Sequence, residues 1–206
     1  MFKVSCIQIC SGKDIKKNLN NSKKLILKAI KHKSDFIITP ETSSLFGLNK
    51  KQLFKTATSM DKDIYLKEIK NIAKKYKKWI LTCVTIKEKN KIKNRSVVIN
   101  SKGSIQAYYD KIHMFDVSLS KKEKYFESKT FTAGKSLKTV NIPWGKLGLS
   151  ICYDLRFPDM YRKLAQKGSI FISVPSAFTN TTGKKHWHSL LRARAIENFS
   201  YIFAPA

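Results

Sequence analysis

Apolar residues follow two different rhythms along this chain, and the two alternate. Short apolar runs of strand length take turns with longer stretches where apolar residues recur every three or four positions and lysine fills the opposite side. Residues 3–9 read as a strand, and residues 14–31 carry Leu19, Ile26 and Ile30 at helical spacing with lysines opposite. Residues 36–39 are a short buried strand stopped by Pro40, and Leu66, Ile69, Ile72, Ala73 and Tyr76 mark an amphipathic helix over 64–76. A strand at 79–86 precedes a hairpin of 95–100 with 105–109 around Ser101-Lys102-Gly103. A second hairpin joins 137–142 to 147–152 through Pro143-Trp144-Gly145. A helix at 159–167, a strand at 170–174, a helix at 186–198 and a strand at 201–203 complete the pattern. Strands followed by helices, with hairpins added, predict an α/β layered sandwich with a mixed sheet. At 206 residues and 42% hydrophobic, the chain can bury one substantial core, so residues 1–206 read as one domain without linker or repeat.

The formal charge of +27 invites a nucleic-acid reading, but the identity of the basic residues argues against a specific one. Of 41 basic residues only Arg95, Arg156, Arg162, Arg192 and Arg194 are arginine, the better tool for bidentate phosphate and base contacts. A lysine-coated surface with loose, salt-sensitive affinity for polyanions is the expectation. No apolar stretch reaches membrane-spanning length, and the first ten residues are too interrupted for a signal-peptide core. Four unpatterned cysteines point to a reducing, cytoplasmic compartment. Cys6 and Cys10, placed in one strand, would stand roughly 13 Å apart, too far to bridge.

Cys152 differs from the other three. It ends the run Leu147-Gly148-Leu149-Ser150-Ile151, whose alternation puts Gly148, Ser150 and Cys152 on one face, and a polar turn follows at once. Cys6, Cys10 and Cys83 read as small buried hydrophobes. Glu41 and Lys111 also follow predicted strands, and loops leaving the carboxyl edge of a sheet converge on one pocket. No Gly-x-Gly-x-x-Gly is present, and Ser150 lacks a Gly-x-Ser-x-Gly turn. His186 and His188, two apart at a helix start, do not face each other as a metal pair. His113 reads as a brace for Lys111 or a turn, and Arg192, Arg194 and Glu197 as a packed ionic network.

Several segments, in order, resemble the nitrilase superfamily of carbon–nitrogen hydrolases. They are Ile38-Thr39-Pro40-Glu41, Tyr109-Asp110-Lys111-Ile112-His113-Met114-Phe115-Asp116, Gly148 through Pro158, Pro175-Ser176-Ala177-Phe178, Thr182-Gly183, His186-Trp187 and Leu190 through Asn198. Within the superfamily the chain looks most like the ω-amidase and deaminated-glutathione-amidase branch. The resemblance implies an α-β-β-α sandwich and a Glu41–Lys111–Cys152 triad with no metal or organic cofactor. Glu41 would take the Cys152 proton and return it to leaving ammonia, with a thioester between. Lys111 and the backbone N–H of Tyr153 would steady the oxyanion. Glu127 matches a second glutamate that supports Lys111, against the plain reading of a loop carboxylate beside Lys124 and Lys129. Arg156 either grips a substrate carboxylate or pairs with Asp154 or Asp159 to brace the loop. Phe178, Thr181 and Thr182 are placed on a loop lining the pocket. A small amide substrate and a homodimer are implied; nitrile or carbamoyl-amine hydrolysis and acyl transfer share the triad as alternatives, with a non-catalytic polyanion binder as a third. Three features depart from the pattern. Lys33 and Lys184-Lys185 replace small residues, and the chain stops at Ala206, where relatives continue with further strands.

Overall fold

The computed structural model describes residues 1–121 and 123–206. Its first sheet has the order β1 (Val4–Cys6), β2 (Phe36–Ile38), β3 (Trp79–Glu88), β4 (Lys91–Ile99), β5 (Ile105–Asp110). The first three strands are parallel and the last two join by antiparallel hairpins. The second sheet contains β8 (Lys138–Ile142), β9 (Gly145–Leu149), β10 (Phe171–Ser173) and β11 (Tyr201–Phe203), in the order β11-β10-β9-β8. Only its β8–β9 pair is antiparallel. A small ribbon, β6 (Asp116–Ser118) with β7 (Lys124–Phe126), stands apart.

Alternation along the strands decides which layer each residue joins. Phe36, Ile38, Leu81 and Val98 face Leu147, Leu149 and Ile151 of the second sheet in one buried core. Ile37, Ile80, Val84, Val97 and Ile99 face outward onto α1 (Ile15–Lys31) and α3 (Ile64–Tyr76). The outer sides of both helices carry exposed lysines. The second sheet is covered by α4 (Pro158–Gln166) and α5 (Asn180–Glu197), giving the α-β-β-α order. Gly148 shows why one face of its strand is small: an added Cβ would sit 3.2 Å from Leu164 of α4. Among the described residues, no helix is long and apolar enough to cross a membrane.

The structure corrects several expectations. The first strand closes at Cys6, so Cys10 lies outside it, and both thiols are exposed rather than buried; Cys83 is buried. Helix α2 (Lys50–Thr56) escapes the periodicity because it is two turns long, yet Asn49 and Gln52 form a capping box at its start. Strand β4 starts at Lys91, pairing with β3 across a two-residue turn at Lys89-Asn90. Helix α5 begins at Asn180, six residues early, because Thr179 caps it by accepting from Thr182 N. Lys33, at φ 60°, occupies the left-handed region, where a glycine would carry no Cβ strain. Arg194 donates to Leu155 O and pairs with Glu197 at 2.8 Å, whereas Arg192 is exposed, so the expected network shrinks to one pair.

Candidate active site

The two sheets bring Glu41, Lys111 and Cys152 to one cavity of about 420 Å³. Glu41 and Lys111 leave the same edge of the first sheet, after β2 and β5, which both run parallel to β3. Cys152 comes from the second sheet, but not as a simple strand end. Strand β9 stops at Leu149, and Cys152 opens a 3-10 turn, Cys152–Arg156, at φ 48°. That left-handed conformation is costly for a residue with a Cβ and clusters at functional sites. Thr42, directly after Glu41, has φ 51°. Both turns aim a side chain where a relaxed strand would not.

Lys111 is 2% exposed, with its Nζ 2.8 Å from Glu41 Oε1 and 2.7 Å from Glu127 Oε2. Burial pulls its ammonium down, but Glu41, then Cys152 and Glu127, more than offset this and hold it well above the usual lysine range. Glu127 also accepts from Phe115 N at 2.7 Å, so it orders the chain beyond Lys111. Its carboxyl is raised by burial, with Lys111 opposing and Glu41 adding to the rise. The Cys152 thiol is pushed well above its ordinary value, first by burial and next by the Glu41 charge, while Lys111 pulls it down. The resting thiol is therefore protonated beside a carboxylate acceptor. One lysine between the two glutamates, with the thiol alongside, offsets part of the negative charge of this buried cluster.

Two further groups complete the frame and were not anticipated from sequence. Asn94 Nδ2 donates to Glu41 Oε1 at 2.7 Å and to Glu127 Oε1 at 3.3 Å, tying the two carboxylates. Ala177 N donates to Glu41 Oε2 at 3.0 Å. Asn94 lies in Lys93-Asn94-Arg95-Ser96, four polar residues inside a strand that the fold buries on both faces. Gly134 N donates to Lys111 O at 2.8 Å, and a Cβ on Gly134 would land on the Asp110 carbonyl oxygen. Gly134→Ala is expected to displace the Lys111 arm and cut turnover about 10²-fold, read by kcat with a melting curve confirming the fold.

The remaining candidates divide. Tyr153 and Phe178 line the cavity, and the Tyr153 N–H carries no protein acceptor among the described residues. Arg156 pairs with neither Asp154 nor Asp159. Its Nη2 lies 3.1 Å from His186 Nδ1, and its guanidinium sits 5.9 Å from the Tyr153 and Phe178 ring centroids. Because arginine only donates, His186 accepts at Nδ1 and carries its proton on Nε2. Thr182 lines the cavity from the first turn of α5. Thr181 does not: it is exposed, with its hydroxyl donating to Glu123 at 3.1 Å, because the early helix start turns it outward. His113 braces a turn, as expected, through Asp154 at 2.7 Å. Among the described residues, no three His, Cys, Asp or Glu side chains form a metal-ligating group.

Known proteins resemble this arrangement along its full length. The carbon-nitrogen hydrolase family model matches residues 3–206. Deaminated glutathione amidase of Yersinia enterocolitica is 37% identical over 98% of this chain and 72% of its own length. The crystal structure of the Caenorhabditis elegans nitrilase and fragile histidine triad fusion protein superposes with TM-score 0.90 at 35% identity, covering 100% of this chain and 52% of that one. The omega-amidase of Saccharomyces cerevisiae is 32% identical over 98% of this chain and 72% of its own length. With a buried Glu–Lys–Cys constellation on a shared sandwich and a match from third residue to last, this chain belongs to the carbon-nitrogen hydrolase family.

Proposed function

We propose that this protein is a cysteine-dependent amidase acting on a small ω-amide that carries a carboxylate, through a thioester. One observation supports this above the rest: a buried lysine, two glutamates and a cysteine thiol share a single cavity. Glu41 takes the thiol proton as sulfur attacks the amide carbon, and the carbonyl π electrons move onto oxygen. Lys111 and the Tyr153 N–H stabilise that oxyanion. On collapse the C–N bond breaks, and protonated Glu41 gives its proton to the departing nitrogen. An unsubstituted amide releases ammonia; deaminated glutathione would release a dipeptide amine. Glu41 then deprotonates water, the resulting tetrahedral adduct breaks its C–S bond, and the proton returns to sulfur. Arg156 grips the substrate carboxylate, with His186 fixing the orientation of the guanidinium. Free, exposed Cys6 and Cys10 fit a cytoplasmic, reducing setting, and exposed Ile196, Phe199 and Tyr201 fit a homodimer contact.

The test offers the enzyme a 2-oxo dicarboxylate monoamide, deaminated glutathione, an aliphatic amide and a nitrile. Ammonia or amine release from the first two, absent in Cys152→Ala, is the expected result. Arg156→Gln should raise KM about 10- to 100-fold for carboxylated substrates only, the worth of a charge-assisted hydrogen bond. Equal KM changes for the aliphatic amide would remove Arg156 from substrate recognition. Turnover of the nitrile alone would replace the amidase reading.

A further inference from the structure

We propose that Asp154 is the positioning residue that sets the Cys152 turn and the Lys111 arm in one mutual geometry. Asp154 is fully buried in the turn that carries Cys152, and its carboxylate accepts from both sides of the site. Oδ2 accepts from Ile151 N at 2.8 Å, one residue before the nucleophile, and from Tyr109 Oη at 2.7 Å, two residues before Lys111. Oδ1 accepts from His113 N at 3.0 Å and faces His113 Nδ1 at 2.7 Å, two residues after Lys111. One carboxylate thus spans the gap between the two sheets, holding the nucleophile's turn with one residue and bracketing Lys111 with two.

The partners require a carboxylate rather than any polar side chain. Ile151 N and His113 N can only donate. Tyr109 also donates to Asp154, because its oxygen already accepts from Ile112 N at 3.1 Å. Burial, with the Asp154 charge next, pushes the Tyr109 phenol far up, so it keeps its proton. An asparagine has one acceptor edge and one donor edge, so either flip sets its N–H against a backbone N–H with no water to relieve it. His113 can change tautomer to accept; its backbone N–H cannot. The His113 ring is pinned in turn, stacked on Phe157 at 3.6 Å between centroids. The strained backbone at Cys152, φ 48°, lies inside the loop that Asp154 closes from Ile151. Releasing that contact lets Cys152 relax toward ordinary φ and carries the sulfur away from Lys111 and Glu41.

Because the effect on turnover rests on the amidase reading, the experiment has an arm that needs no substrate. Asp154→Asn and Tyr109→Phe are compared with wild type by kcat and KM on the ω-amide. The pH profile of Cys152 alkylation by iodoacetamide, assigned by peptide mass, is measured alongside, with a melting curve for each protein. Expected for Asp154→Asn is a kcat loss of about 10²-fold with KM nearly unchanged, the cost of roughly 1 Å of misplacement. Its alkylation midpoint should move to lower pH, because the sulfur leaves Glu41, whose charge raises the thiol more than Lys111 lowers it. Tyr109→Phe should shift both readouts in the same direction by a smaller factor. A folded Asp154→Asn with wild-type kcat and midpoint overturns the proposal. If Asp154→Asn does not fold, an unchanged kcat and midpoint in Tyr109→Phe overturns it. If wild type hydrolyses no amide, the amidase reading fails, and the alkylation midpoints alone decide the role of Asp154.

Discussion

Replacing Glu41 by Gln is expected to stop turnover while making Cys152 easier to alkylate near neutral pH. The two outcomes separate because Glu41 does two opposing things to the same thiol. As the proposed proton shuttle it would accept from sulfur and donate to the leaving nitrogen, and such a group contributes about 10²–10⁴-fold in rate. As a fixed charge it disfavours the thiolate, second only to burial in raising the thiol. Gln removes the charge and leaves the Lys111 ammonium, so the thiolate becomes easier to form. The alkylation midpoint should therefore move to lower pH, with kcat reduced about 10³-fold. The measurement pairs steady-state turnover with a pH series of iodoacetamide labelling. A midpoint that rises or stays fixed would mean that Glu41 does not face the sulfur in solution.

Lys111→Met has the second large effect, and it reaches the fold as well as the chemistry. Lys111 is the cation between Glu41 and Glu127, with Nζ 2.8 and 2.7 Å from them. Breaking a buried pair by removing one partner costs about 3–5 kcal/mol, because the remaining charges are left uncompensated. Loss of the proposed oxyanion donor adds about 10²–10³-fold in rate. The pH dependence has a definite sign. Two buried carboxylates without a cation resist ionising together, so one has its folded pKa raised above its unfolded value. Such a group supports the fold below its unfolded pKa and loses that support as pH rises through its folded pKa. Lys111→Met should thus lose more melting temperature at pH 8 than at pH 5. An equal loss at both values would show that a packing defect, not charge, is responsible.

Much of this was legible in the chain, and the gaps have physical causes. Helix α3 appears over Ile64–Tyr76, the span its periodicity predicts, since five apolar residues at helical spacing leave no competing face. Glu41 and Lys111 were placed by topology, because residues after strands that run the same way in one sheet leave its carboxyl edge. Thr181 was misplaced for want of the Thr179 cap, a side-chain contact that periodicity does not register. Asn94 and Asp154 escaped for another reason. Their roles lie in contacts 53 and 45 residues away, with Glu41 and Tyr109, and no local pattern encodes such a partner.

The cavity draws its acid, its ammonium and its amide clamp from one layer and its sulfur from the other. Chemistry here is consequently a gauge of registration between two slabs joined mostly by greasy, slippery contact and pinned by a few buried polar bonds. A slide of an ångström would leave every helix and strand intact, invisible to bulk spectroscopy, and yet silence the enzyme. Selection acting on this molecule through its turnover is for that reason also selection on the mortar between its layers, far from any atom that meets substrate.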